Sequence, residues 1–157
     1  MSIEVWLQHR PKGRTPYWAC RVCDGDHVLW ASRQVSVRLL SRDAALWIAT
    51  MIAALNGPAP RLEWSGDLKD DCKSSFGEFS AHAEWLCGPR RGGRWYCSVN
   101  GPAGTRYFHT ADQNDIQPRN ADAARWLCEL VIAAGAAGVI AVASNGNCKS
   151  SNAEADK

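Results

Sequence analysis

The strongest constraint on the fold is an internal duplication, in which a set of short motifs occurs twice in the same order. The paired motifs are Trp6-Leu7 with Trp85-Leu86, Trp18-Ala19-Cys20 with Trp95-Tyr96-Cys97, Asp24-Gly25 with Asn100-Gly101, and residues 42–48 with residues 121–127. The separation between partners changes little along the chain. It decreases after one loop, which is shorter in the second half, and recovers after a later loop, which is longer. Self-similarity of this kind is the sequence signature of a repeated structural unit. The chain is therefore predicted to contain two copies of one unit.

Each copy begins with three predicted strands. They are expected at residues 3–8, 17–23 and 27–33, and again at residues 82–87, 94–99 and 105–110. Apolar and polar residues alternate along the second strand of each copy, as in a half-buried strand. Asp24-Gly25 and Asn100-Gly101 predict hairpin turns, because these residue types tolerate a positive φ.

A helix and a short last strand complete each copy. Ser41 and Asn120 are predicted N-caps, and each is followed by an acidic residue in the first turn. The first helix is expected to stop at Asn56-Gly57-Pro58 and the second at Gly135. Residues 61–64 and 139–142 are the predicted last strands. The unit is therefore β-β-β-α-β, present twice.

The repeated turns and the helix starts, Ser-Arg-Asp-Ala-Ala at 41–45 and Asn-Ala-Asp-Ala-Ala at 120–124, resemble the YegP-like family of tandem β3-α-β repeats. The resemblance covers residues 2–66 and 80–144. It implies that the two units build a single sheet, exchange their last strands and pack both helices on one side. The expected fold is thus α+β: a pseudo-two-fold duplication forming one antiparallel-rich sheet with two helices on one face. No activity is established for the family, so it implies no chemistry.

The domain organisation follows from the repeats. Residues 1–157 are predicted to form a single domain, with repeat 1 at 2–66 and repeat 2 at 80–144. Residues 67–79 are polar and are interpreted as a linker, and residues 145–157 as a disordered tail. A duplication mimics a dimer within one chain, so a monomer is expected. The absence of a long apolar run and of a signal-like N-terminus favours a cytoplasmic protein.

The sequence does not predict an enzyme, a metal site or a cofactor. The seven cysteines are an odd number, which argues against a complete disulfide framework. Cys20 and Cys23 have zinc-like spacing, but no second pair of ligands matches them. The four histidines are scattered, and no nucleophile, phosphate-loop or dinucleotide motif is present. We therefore expect reduced, buried thiols and no catalytic residues.

The candidate binding residues lie in and beside the loops between the first two strands of each copy. Six of the 18 basic residues fall in these loops. If Trp18, Cys20 and Val22 face the helices, the intervening side chains face outward, and so do their counterparts in the second copy. The predicted binding residues are Arg10, Lys12, Arg14, Tyr17, Arg21, Arg90, Arg91, Arg94 and Tyr96.

Two functions are compatible with this pattern. The first is a non-enzymatic module that acts through protein–protein interaction, as an adaptor or inhibitor, for example of a phage or plasmid type acting on a host nucleoprotein complex. Tyrosine and arginine are enriched at the centres of such interfaces. The alternative is a nucleic-acid-binding protein that uses the basic hairpin tips and an open aromatic sheet face. The net charge of +2 is small, and acidic residues lie between the repeats, so a protein partner is favoured.

Overall fold

The structure is a computed structural model that describes residues 1–86 and 93–140. The described residues form an α+β fold with two helices and antiparallel sheets, as predicted. The elements, in chain order, are β1 (Ser2–Gln8), β2 (Tyr17–Asp24), β3 (His27–Ala31), β4 (Val37–Leu39), α1 (Arg42–Ala54), β5 (Ser65–Asp67), β6 (Asp71–Phe76), β7 (Phe79–Leu86), β8 (Arg94–Asn100), β9 (Arg106–His109), β10 (Ile116–Pro118) and α2 (Ala121–Ala136).

The prediction of one continuous sheet is wrong for the described residues. Three separate sheets are present, with strand orders β1-β2-β3, β10-β4 and β5-β6-β7-β8-β9. The short strands β4 and β10 pair with each other and join neither larger sheet. Arg38 is opposite Gln117 in this pair, and bonds from Leu40 N to Asp115 O (2.8 Å) and from Arg119 N to Ser36 O (2.9 Å) extend it at both ends. We call the β4–β10 pair the seam, because it connects the two halves of the chain.

The prediction of a linker at 67–79 is also wrong, because these residues are part of the five-stranded sheet. All six residues of β6 pair with β7, from Asp71 opposite Glu84 to Phe76 opposite Phe79. The side chains of Cys72 and Ser74 are buried, whereas those of the residues on either side of each are exposed. The polar composition gave no apolar alternation that would predict this strand, because its buried positions carry only small side chains.

Both helices begin where the sequence predicts. The Ser41 hydroxyl accepts a hydrogen bond from Ala44 N (3.1 Å) and the Asn120 side chain accepts one from Ala123 N (2.8 Å), which satisfies a free N–H of each first turn. α1 ends just before Asn56, whose φ is 61°. The expected stop at Gly135 is wrong: α2 continues to Ala136. A side chain at Gly135 would press on the Phe79 ring, with its Cβ 2.9 Å from Cε1, so this glycine permits close packing.

The predicted last strands are not strands in the described residues. Residues 61–64 pair with no described strand, and a buried carboxylate binds the backbone N–H of Leu62 and two of their side chains. Glu129 of α2 is only 2% exposed, and its Oε2 accepts from Leu62 N (2.8 Å) and from Trp64 Nε1 (2.9 Å). Arg61 Nε lies 2.6 Å from Glu129 Oε1. Residues 139–140 have no strand structure, and residues 141–142 and the predicted tail at 145–157 lie outside the described part.

The turn after β8 differs from the expected hairpin. Gly25 adopts the predicted positive φ (60°), but Gly101 is extended, with φ −123°. The left-handed residues are Ala103 (φ 58°) and Gly104 (φ 75°), so the chain reverses two residues later. A Cβ at Gly101 would overlap the Tyr107 ring, which shows that close packing favours glycine here.

Two aromatic stacks join the halves across the core. Trp30 of β3 stacks on Trp126 of α2, with centroids 5.6 Å apart and planes 7° apart. Trp47 of α1 stacks on Phe108 of β9, with centroids 5.4 Å apart. α1 packs against β1 and β2, and α2 against β7 and β8. Each helix therefore covers the sheet of its own half and also contacts an aromatic ring from the other half.

Candidate binding surfaces

The first predicted basic loop lies beside Tyr17, at the start of β2. The Arg10 guanidinium carbon lies 4.0 Å from the centroid of the Tyr17 ring, and that of Arg38, on the seam, lies 5.4 Å from it. Arg10 also donates to Thr15 O (3.0 Å), which ties it to its own loop. Lys12 and Arg14 are exposed farther along the loop. The structure thus brings Arg10 and Tyr17 together and adds Arg38, which the sequence analysis did not select.

The second predicted group lies on β8. Arg94 Nη2 donates to the Tyr96 hydroxyl (2.6 Å), and the Arg94 guanidinium carbon lies 4.9 Å from the centroid of that ring. Tyr96 is paired across the sheet with Glu84, which is paired in turn with Asp71. The open face near Tyr96 therefore carries carboxylates as well as arginine. Arg90 and Arg91 lie outside the described residues.

Arg21 belongs to a third place, the outer face of the first sheet. Its Nε and Nη2 both lie 2.7 Å from Glu4 Oε1, and its guanidinium carbon lies 5.8 Å from the centroid of Trp6. The hydrogen bond to Glu4, followed by the charge of that carboxylate, raises the pKa of Arg21 above its ordinary value. Arg21 is therefore a paired and oriented cation, separate from both basic loops.

The outer face around Arg21 has an exposed apolar hollow. Trp6 is 42% exposed and Val28 is 43% exposed, and both line a cavity of about 330 Å³ together with Arg21. Ala19, directly across the ladder from Trp6, lines the same hollow. We call Trp6, Ala19, Arg21 and Val28 the Trp6 face.

Trp6 is not among the binding residues predicted from the sequence. The alternation of core-facing and outward-facing residues along β1 could have identified Trp6 as an outer-face residue. Ile3 and Val5 pack against the core, and side chains of successive strand residues point to opposite faces. Trp6 follows Val5 and must therefore lie on the outer face.

The thiols of the described residues are buried. Burial raises the pKa of the Cys20 thiol to about 11, against a smaller opposing effect of the Ser32 hydroxyl. The pKa of the Cys128 thiol is raised well above its usual value, first by a hydrogen bond with Cys97 and then by burial. Within residues 1–86 and 93–140, no three His, Cys, Asp or Glu side chains come together as metal ligands. The thiols of Cys20 and Cys128 are therefore protonated at neutral pH.

Comparisons with known proteins assign no relative to this chain. No family model, no curated protein and no solved structure matches it. The resemblance to YegP-like repeats therefore stays a prediction from the sequence. Neither described helix has the length and apolar character needed to cross a membrane.

Proposed function

We propose that the protein is a non-enzymatic binding module that contacts a protein partner through the Trp6 face. The observation that carries the proposal is a large aromatic side chain that is exposed yet held in place. Trp6 is 42% exposed, and the Arg21 guanidinium that lies over it is itself fixed by Glu4. Tryptophan and arginine are the residue types that most often dominate binding energy at protein interfaces. An ordered tryptophan also loses little side-chain entropy on binding.

The chemistry of the Trp6 face favours a protein over a nucleic acid. Its cation, Arg21, is already neutralised by a carboxylate 2.7 Å away, so Arg21 offers little net attraction to a phosphate backbone. Arg33, which also lines the hollow, is the second cation there and is exposed. The remaining members of the Trp6 face, Trp6, Ala19 and Val28, are apolar. A partner with an apolar side chain would fill the hollow of about 330 Å³, and burial of that apolar surface would stabilise the complex.

Nucleic-acid binding is the second candidate, and a different observation favours it. Among the described residues, Arg10 and Arg94 form no ion pair with a carboxylate; each lies over a tyrosine ring instead. Unpaired arginines beside aromatic rings can contact phosphates and bases. The carboxylates of Glu84 and Asp71 in the row beside Tyr96 weaken this candidate, because they repel a backbone laid across the sheet.

The proposal includes the duplication of the unit, which reciprocal contacts support. At the seam, Leu40 N donates to Asp115 O and Arg119 N donates to Ser36 O. In the proposed duplication Leu40 corresponds to Arg119 and Ser36 to Asp115, so the two hydrogen bonds are equivalent. The backbone N–H of Cys20 donates to the Ser32 hydroxyl, and that of Cys97 donates to the Thr110 hydroxyl. A duplicated chain already contains its own two-fold interface, so the proposed module is a monomer, and we place it in the cytoplasm.

Affinity capture with matched variants tests the proposal. The immobilised wild type, Trp6→Ala and Phe76→Ala proteins are compared in lysate of cells that encode the protein or their host. Phe76 is 53% exposed and lies on β6, away from the Trp6 face, so its variant is the control. We expect one partner retained by the wild type and the control and lost with Trp6→Ala, since truncating a central tryptophan costs about 2 kcal/mol or more. Equal retention by all three proteins would overturn the proposal.

The second candidate is tested by fluorescence anisotropy of labelled single- and double-stranded oligonucleotides. Binding to nucleic acid through phosphates falls steeply as salt increases, because counterions are released. Binding that shows this dependence, and that is lost in the Arg10→Ala/Arg94→Ala double variant, would replace the protein partner by a nucleic acid. No binding at low salt would remove the second candidate.

A further inference from the structure

A cavity of about 290 Å³ lies at the seam, next to the first residues of β8. Arg38 of β4, Arg94 of β8 and Arg119, directly after β10, line it. The uncharged polar residues that line it are Thr110, Asn114 and Gln117. No described residue of its lining is an Asp or a Glu, and residues 87–92, outside the described part, contain neither type. Three arginines therefore line one small cavity, and the described part of its wall holds no carboxylate.

The three arginines also lack charge partners elsewhere. Within the described chain, none of them forms an ion pair. Arg38 Nε is buried and has no hydrogen-bond partner among the described atoms. A buried donor without an acceptor is uncommon in proteins and calls for an explanation, such as a bound ion. Like charges in one cavity also repel one another. An anion bound between them attracts each cation and so offsets that repulsion.

Two tyrosines hold two of the three arginines, Arg38 and Arg94, in position. Arg38 lies over the Tyr17 ring, with its guanidinium carbon 5.4 Å from the centroid. Arg94 donates to the Tyr96 hydroxyl at 2.6 Å. A guanidinium with one contact to an aromatic side chain still has further N–H donors, arranged in a planar fork. The tyrosines therefore reduce the freedom of the arginines before any ligand binds, which lowers the entropy cost of binding.

We propose that the seam cavity binds a phosphate group, free or carried by a nucleotide. A phosphate monoester has a charge of about −1.5 to −2 at neutral pH and three acceptor oxygens, which matches several arginines better than a single carboxylate does. Arginine is also the residue whose donor geometry fits phosphate in a bidentate way. The volume of about 290 Å³ lies at the low end of the range for small-ligand sites, roughly 300–1,000 Å³. A ligand of mononucleotide size or smaller is therefore expected.

The site is independent of the protein partner proposed above. None of the residues that line the seam cavity belongs to the Trp6 face. Phosphate binding can therefore be present while partner capture fails, or the reverse. Each proposal is tested without the other.

Isothermal titration calorimetry in a phosphate-free buffer tests the site, with sodium phosphate, AMP and adenosine as the injected probes. We expect phosphate or AMP to bind and adenosine to give no binding signal. AMP binding much tighter than phosphate binding would identify a nucleotide as the source of the phosphate group, and equal affinities would identify the free anion. Adenosine binding as tightly as AMP would overturn the proposal, because the base would then be the recognised group.

Variants with matched charge complete the test. Arg38→Ala and Arg119→Ala each remove one cavity cation and are expected to weaken phosphate or AMP binding at least tenfold. Arg42→Ala removes an exposed arginine that does not line the cavity and is expected to leave the affinity within twofold. If Arg38→Ala does not fold, Arg119→Ala decides, because the Arg119 side chain forms no hydrogen bond or ion pair within the described residues, and its backbone bond to Ser36 O is kept in the variant. Equal loss in Arg42→Ala, or no binding of phosphate and AMP by the wild type, would overturn the proposal.

Discussion

Replacement of Glu129 by alanine tests how the two halves are held together. Glu129 lies on α2 of the second half, but its partners lie on the segment that follows α1. Its carboxylate accepts hydrogen bonds from Leu62 N and Trp64 Nε1 and pairs with Arg61. The side chain of Glu129 is only 1% exposed. The variant therefore removes the acceptor of two donors on half-buried residues.

The expected loss of stability follows from those contacts. Each donor left without an acceptor costs about 1–3 kcal/mol, which gives about 2–6 kcal/mol for two. Arg61 adds little, because its side chain is 53% exposed and keeps Asp122 at 2.8 Å. We therefore expect Glu129→Ala to lower the free energy of unfolding by about 2–6 kcal/mol, a large part of the roughly 5–15 kcal/mol of an ordinary domain.

Urea denaturation followed by circular dichroism measures this loss. Glu129→Gln keeps one carbonyl acceptor and is expected to cost less than Glu129→Ala. Asp122→Ala, which removes the exposed partner of Arg61, is the control and is expected to cost about 1 kcal/mol or less. A cost of less than about 1 kcal/mol for Glu129→Ala, within the range of an exposed pair, would refute the structural role of the carboxylate.

Three further predictions concern the core. Trp126→Ala removes one side of the stack with Trp30 and is expected to cost about 3–5 kcal/mol in denaturant unfolding; a change below about 1 kcal/mol would contradict that packing. Thr110→Val removes the acceptor of the buried Cys97 N–H (3.0 Å) and is expected to cost about 1–3 kcal/mol in the same assay. Cys20, whose pKa burial raises to about 11, stays protonated at pH 8; mass spectrometry is expected to show alkylation by iodoacetamide only in denaturant, and equal alkylation of the native protein would refute it.

Much of the secondary structure could be predicted because its signals are local. Ser41 and Asn120 mark helix starts by their own side chains, and both accept the expected hydrogen bonds. The same holds for Gly25, whose positive φ matches the predicted turn. The outward direction of Arg21 and Tyr96 followed from the period of a strand. These features depend on a few neighbouring residues, so one sequence is enough to find them.

The features that could not be predicted depend on contacts between distant residues. Residues 61–64 alternate like a strand, but Glu129, far along the chain, binds the backbone N–H of Leu62. The strand at Asp71–Phe76 has a polar sequence and is stabilised by its pairing with β7. Arg38 gave no signal of its own, and only its place on the seam brings it beside Tyr17 and Arg94. Pairing of β4 with β10 is likewise a long-range contact, and no local sequence pattern predicts it.

Site-specific photo-crosslinking tests the proposed partner surface most directly. A photoreactive phenylalanine analogue is placed at Val28, which is 43% exposed at the hollow of the Trp6 face, or at Leu68, which is 46% exposed in the turn after β5. After irradiation in cells, we predict a discrete covalent adduct of higher mass from position 28 and none from position 68. An adduct from position 68 alone, or no adduct from position 28, would contradict a protein partner at the Trp6 face.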